Sequence, residues 1–186
     1  PATDALQAVE TSPDDGMNGS EESGDSRSNV ISIDTICMIL DLLSFCAHYH
    51  GYRMKYYVLR NHALAKITSV AKHKDTVVVT AVVRFVRTCI GLKDEFYNRI
   101  LVQSEMLSPM MERFLENGST NNMLNSTVLE LLEFIRRQSI RGLIVFIWEK
   151  YGEQISKIGG TSHELLKGKY EQVMGAATDR QMGVYG

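Results

Sequence analysis

The chain has 186 residues, 44% of them hydrophobic, and a formal net charge of −2; on the usual prior of roughly 100–200 residues per domain, that is enough for one folded core. No uncharged apolar run reaches the ~18 residues of a membrane span, Pro1-Ala2-Thr3 has neither the basic flank nor the apolar stretch of a secretory leader, and Cys37, Cys46 and Cys89 stand at no disulfide or zinc spacing. These features lead us to expect a soluble protein of a reducing, intracellular compartment, and the low-complexity start without Met has the texture of a piece of something longer.

The net charge conceals a division. Residues 1–29 hold seven acids and one base, leaving 15 acids and 19 bases beyond, so −6 sits beside +4. This first segment is Ser, Asp, Glu and Gly, with hardly a large apolar side chain after Leu6. It cannot offset the entropy of ordering, and the composition predicts a disordered acidic segment over 1–29. Thr11-Ser12-Pro13-Asp14-Asp15 and Ser20-Glu21-Glu22 resemble kinase-accessible sites, but an acidic, Ser-rich linker acting only as a solvated spacer is the better reading of them.

From Val30 the texture changes. Ile31, Ile33, Ile36, Ile39, Leu40, Leu43 and Phe45 follow at spacings of mostly three or four, which predicts a long, mostly buried helix with Asp34 as N-cap, ending near Gly51. Two shorter helices are expected over Arg53–Asn61 and Ala63–Ala71. Thr76 to Val83 would be a strand by propensity alone. Next, Gly91-Leu92-Lys93-Asp94-Glu95-Phe96-Tyr97-Asn98-Arg99 reads as a helix opened by Gly91, with Leu92, Phe96, Tyr97, Ile100 and Leu101 on one face and Asp94, Glu95, Asn98 and Arg99 on the other. Glu95 and Arg99 form a favourable i,i+4 pair. Ser108 as N-cap with Pro109 at N1 starts a helix that Asn117-Gly118 ends. Asn122 caps another, with Leu124, Val128, Leu131, Leu132 and Ile135 on one face. Gly159-Gly160 breaks the chain, and Thr161 with Glu164 makes a capping box for a last helix to about Met174, before a fraying Gly-rich tail over 176–186.

The pattern repeats. Aligning Phe45 with Phe85 superposes Gly51 on Gly91, Tyr56 on Phe96 and Tyr57 on Tyr97, forty residues apart; aligning Phe134 brings Ile140, Val145 and Phe146 to the same offsets. A period of about 40–47 residues built from two or three helices is the armadillo/HEAT class, whose units stack because none buries its apolar face alone. The expected fold is therefore an all-α helical-repeat solenoid of about three repeats over 30–175, with Val77 to Val86 a central buried helix rather than a strand.

Chemistry is sparse. On a helix Cys46 and His50 share a face while His48 points away, so three metal ligands do not converge. No nucleophile elbow, phosphate loop or zinc-protease motif is present, and neighbouring Asp94 and Glu95 splay about 100° apart on a helix, poor geometry for acid–base work. No enzyme, cofactor or metal is expected. Arg136, Arg137, Arg141, Lys72, Lys74, Arg84 and Arg87 permit nucleic-acid contact, but acids intersperse them. Tyr49, Tyr52, Tyr56 and Tyr57 meet at one helix junction, as repeat packing or as interface anchors, and Trp148 is expected in the core of repeat three.

The stretch Gly91 to Arg99, with Leu42-Leu43-Ser44-Phe45-Cys46, Asn117-Gly118, Leu124-Asn125-Ser126, Leu131-Leu132-Glu133-Phe134-Ile135-Arg136 and Lys169-Tyr170-Glu171, closely resembles the SMEK/Falafel family, regulatory subunit 3 of protein phosphatase 4. The resemblance runs from Ile36 to Glu171. It implies an armadillo-like region of a non-catalytic subunit, found in nucleus and cytoplasm. Such a subunit joins the phosphatase catalytic subunit and a second regulatory subunit, and directs dephosphorylation of phosphoprotein substrates. The family's N-terminal docking module is not among these residues. Packing explains Leu92, Phe96 and Tyr97 but leaves Lys93, Asp94, Glu95, Asn98 and Arg99 over, so these, then Arg136 and Arg137, are the expected partner contacts. A nucleic-acid-binding helical repeat or another adaptor module is the alternative.

Overall fold

A computed structural model describes residues 31–158 and 161–182. The predicted acidic segment 1–29, the Gly159-Gly160 break and the last four residues of the predicted tail lie outside the described residues. What is described is helical: α1 Ile33–Tyr49, α2 Gly51–Asn61, α3 Ala63–Ser69 running into a 3₁₀ turn Val70–Lys72, α4 Thr76–Gly91, α5 Glu95–Gln103, α6 Ser108–Asn117, α7 Met123–Arg137, α8 Arg141–Ile158 and α9 Thr161–Met182. The helices fall into three units of three, α1–α3, α4–α6 and α7–α9. The leading helices stack in order, α1 on α4 and α4 on α7, while α5 meets α8 and α8 meets α9. This is the all-α helical-repeat solenoid that the forty-residue register predicts.

Helix α4 is the spine. Its Val-rich sequence favours a strand locally, at a helix cost of a few tenths of a kcal/mol per residue. Burial outweighs that: Val78, Val79, Val82, Val83, Phe85, Val86, Cys89 and Ile90 are wholly inaccessible, and burying such a side chain contributes about 1.5–3 kcal/mol. Asp75 caps the helix by accepting from the Val77 amide at 2.7 Å, and Thr80 satisfies its buried hydroxyl on the Thr76 carbonyl at 2.7 Å. Val77, predicted in the buried run, faces solvent at the first turn.

Between α6 and α7 a polar knot replaces apolar packing. Buried Asn125 accepts from Asn117 Nδ2 at 2.8 Å and donates to the Gly118 and Thr120 carbonyls at 2.8 and 2.6 Å. Gly118 takes a positive φ of 61° at the stop of α6, and Asn122 caps α7 by accepting from the Asn125 amide at 3.0 Å. Asn117, Gly118 and Asn125 therefore fix a loop.

Several expectations are corrected. Ser32, not Asp34, caps α1, accepting from the Thr35 amide at 3.2 Å. Only Leu40 and Ala47 of α1 are buried, because among the described residues α1 packs on α4 and its own α2 alone, with no helix on its other side. Tyr49, Tyr52, Tyr56 and Tyr57 are exposed and do not pack repeats together. Ser108 is the first residue of α6 instead of its cap; Leu107 precedes it without a side-chain cap, and the Ser108 hydroxyl accepts from Lys150 at 3.1 Å. Trp148 is half-buried rather than core, lying between the rings of His163 at 5.2 Å and Tyr170 at 5.9 Å and so fastening α8 to α9. Helix α9 continues past Met174 to Met182; Ala176, Ala177, Gln181 and Met182 are good helix formers. The Thr161 side chain lies outside the described residues.

Candidate protein-interaction site

The Gly91–Arg99 stretch is not one helix. Gly91 is the last residue of α4, where a Cβ would meet Arg87 Nη1 at 3.3 Å. Lys93 turns the chain with a left-handed φ of 55°. Asp94 then caps α5 by accepting from the Phe96 amide at 3.0 Å. The reason is local: an Asp that can hold the first free amides of a helix outcompetes continuation through a glycine. The predicted Glu95–Arg99 pair does not form within the helix.

Each expected contact residue now has a place. Asp94 is engaged twice, as the cap and in a salt bridge with Lys55 of α2. The Lys55 hydrogen bond holds the Asp94 carboxyl below its ordinary range, and the Lys55 ammonium also lies 5.9 Å from the Phe96 ring centre. Arg136 and Arg137 both bind Glu133, at 2.7 Å each. Hydrogen bonding to Arg136 first, then Arg137, lowers the Glu133 carboxyl to about 2. The Glu133 pairs are braces within one helix, the Asp94–Lys55 bridge joins two repeats, and none of these residues lines the groove that follows.

Lys93, Glu95, Asn98 and Arg99 do come together, along one wall of a groove of about 650 Å³. Val102 and Gln103 continue that wall; the opposite wall is Gln138, Ser139, Ile140, Arg141 and Gly142, from the α7–α8 turn and the first residues of α8. Sequence reasoning did not place this second wall beside the first, because no spacing joins residues about forty positions apart; the signal was the break Gln138-Ser139 ahead of Arg141. Among the described residues Lys93, Arg99 and Arg141 form no ion pair, which leaves three cations against Glu95. Asn98 adds a buried Oδ1 with no protein hydrogen-bond partner.

The rest of the surface offers little chemistry. Cys46 and His50 border a shallow depression with Arg53, Met54 and Tyr57, and among the described residues no group of three or more His, Cys, Asp or Glu is placed to hold a metal. Burial pushes the Cys89 thiol up to about 12, which keeps it protonated and unreactive. No described helix is long and apolar enough to cross a membrane.

A three-unit helical stack carrying an open, positively charged groove is the build of an interaction scaffold. A family profile described as Phosphatase 4 regulatory subunit 3 matches residues 15–172, and the chain belongs to that family. It is 35% identical over 148 residues, 79% of its length, to Protein PPP4R3C1 of Mus musculus. It is 35% identical over 144 residues, 77% of its length, to Serine/threonine-protein phosphatase 4 regulatory subunit 3 of Drosophila melanogaster. The matched segment spans only 18% and 15% of those proteins. No solved structure matches the chain.

Proposed function

We propose that this chain is a rigid, non-catalytic part of a phosphatase 4 regulatory subunit, and that the groove between α5 and the start of α8 receives a segment of a protein partner in that complex, the catalytic subunit or a second regulatory subunit. Family membership supports the complex. The observation that carries the site is that, among the described residues, Lys93, Arg99 and Arg141 stand unpaired around one groove, whereas Arg84, Arg87, Arg113 and Lys150 are braced, to Asp41, Glu130, Glu116 and Glu105. Arg84, Arg87, Arg136 and Arg137, four of the seven cations that could contact nucleic acid, are neutralised by carboxylates, which weighs against the nucleic-acid reading.

The test is co-purification from cells of the tagged chain and of its Arg99→Glu/Arg141→Glu variant. Loss of the phosphatase catalytic subunit and its companion from the variant, at unchanged melting temperature, is the expected result. Full retention would remove the groove from the interface, and recovery of nucleic acid with binding that falls steeply with salt would favour the alternative.

A further inference from the structure

The groove between α5 and α8 does not stop at Arg141. A second hollow, of about 480 Å³, shares Val102, Arg141 and Gly142 with it and is lined further by Val145, Phe146, Glu149 and Met174. The α8 residues among these recur at three- and four-residue spacing and so form one helix side. The two hollows therefore make a single track from the α7–α8 turn along α8, and its ends differ in chemistry. At the first, exposed Lys93, Arg99 and Arg141 outnumber Glu95. At the second, half-buried Val102, Val145 and Phe146 offer apolar walls, and the Phe146 ring meets Tyr151 edge-on, centroids 6.3 Å apart. Gly142 lies at the junction, where a Cβ would reach only Val102 Cγ2, at an ordinary contact distance of 3.9 Å. No side chain of its own narrows the passage there.

Given the groove's proposed role in assembly, on which this rests, we infer that the track binds one extended segment of a resident subunit of the complex. An Asp-Glu pair of that segment faces the three cations, and an aliphatic or aromatic side chain enters the second hollow. The surplus of cations over Glu95 at the first end matches a pair of carboxylates. A phosphate in that place would be a ligand that the complex's own enzyme removes, whereas a carboxylate persists. A contact that holds a phosphatase together therefore favours Asp or Glu over phosphoserine. The spacing follows from the helix: Arg141 to Phe146 is about 7.5 Å at roughly 1.5 Å per residue, which an extended chain covers in about two or three residues. The rim cations steer and orient the segment, and the apolar anchor slows its release.

Gly142 provides the test, because a substitution there narrows the track without removing a charge. In the tagged 186-residue chain, Gly142→Ala adds one methyl and should leave recovery of the phosphatase catalytic subunit and its companion unchanged. Gly142→Leu fills the junction and should lower that recovery about tenfold. Melting temperatures of both variants should equal or exceed the parent's, since glycine is the poorer helix former. Loss of the subunits from Arg99→Glu/Arg141→Glu with full retention by Gly142→Leu would keep the groove in the interface and overturn the second contact alone. Retention by both would overturn the groove as well, and loss from Gly142→Leu only would leave the cations without a part and overturn the shared track. Dye-labelled Gly/Ser decapeptides identify the occupant by fluorescence anisotropy. They carry Asp-Glu with Leu about three positions before or after it, Asp-Glu with Ser in place of the Leu, or two phosphoserines with the Leu. One Asp-Glu/Leu peptide should bind the parent about tenfold more tightly than its Ser form, and the two should bind Gly142→Leu equally. Equal binding of both forms to the parent, tighter binding of the phosphoserine peptide, as for a phosphoprotein substrate, or no binding by any peptide would each overturn the inference.

Discussion

The Arg87 guanidinium lies 3.4 Å from the centre of the Phe134 ring, joining α4 to α7 face-on. Its Nε donates to Glu130 at 3.1 Å, so one side chain binds the next repeat through both a ring and a carboxylate, and Gly91 leaves the space in which it lies.

A double-mutant cycle between Arg87→Met and Phe134→Leu should return a coupling of about 1 kcal/mol, the middle of the range for a partly desolvated cation over a ring. Each single variant should lower the melting temperature by a few degrees. Denaturant unfolding of the four proteins measures the coupling, and a value of zero would reduce the contact to coincident packing.

Asp94 combines two roles that substitutions can separate. Lys55→Met removes only the bridge and should cost less than about 1 kcal/mol, as for surface pairs. Asp94→Ser keeps a capping oxygen and should resemble it, whereas Asp94→Ala loses the cap as well and should cost about 1 kcal/mol more. Equal melting temperatures for Asp94→Ser and Asp94→Ala would show that the cap contributes nothing.

The pH dependence has a fixed sign. Glu133 titrates near 4.5 when unfolded and near 2 when folded, so the folded state binds fewer protons and its stabilisation is complete above the unfolded value. That contribution is lost as pH falls from about 4.5 toward about 2. Melting temperatures of the parent and Glu133→Gln should therefore differ most near neutrality and converge in acid; a gap that widens in acid would contradict the assigned braces to Arg136 and Arg137.

Lys93 holds a left-handed backbone, φ 55°, at the groove rim. Lys93→Gly should relieve about 1–2 kcal/mol of strain against roughly 0.5–1 kcal/mol of added unfolded-chain entropy, a small net stabilisation. It also removes one of the three cations, so partner recovery should fall while melting temperature rises. A fall in both would make Lys93 part of the fold.

Much of the fold was legible because the apolar register of Phe45, Phe85 and Phe134 marks which helix side is sticky, and because Asn122 and the Asn117-Gly118 stop are local signals. What periodicity cannot encode is whether a neighbour occupies that side, which is why α1 read as buried and is not. The site was half legible. Glu95, Asn98 and Arg99 share a wall because of one short helix, with Lys93 in the turn that leads into it, but Arg141 faces them only through the α5–α8 packing, and the Asp94–Lys55 bridge crosses between repeats where no sequence spacing points to it.

The helicity of Thr76 to Val83 is borrowed from its surroundings. Eight residues with this many valines, no charge and no proline are the composition of an aggregating strand, and α1 and α7 shield them in the folded stack. Any opening that peels α1 away uncovers a segment with a different local preference, so the first unit also serves as a guard against self-association, and clearance of partly opened molecules should depend on how firmly α1 is held.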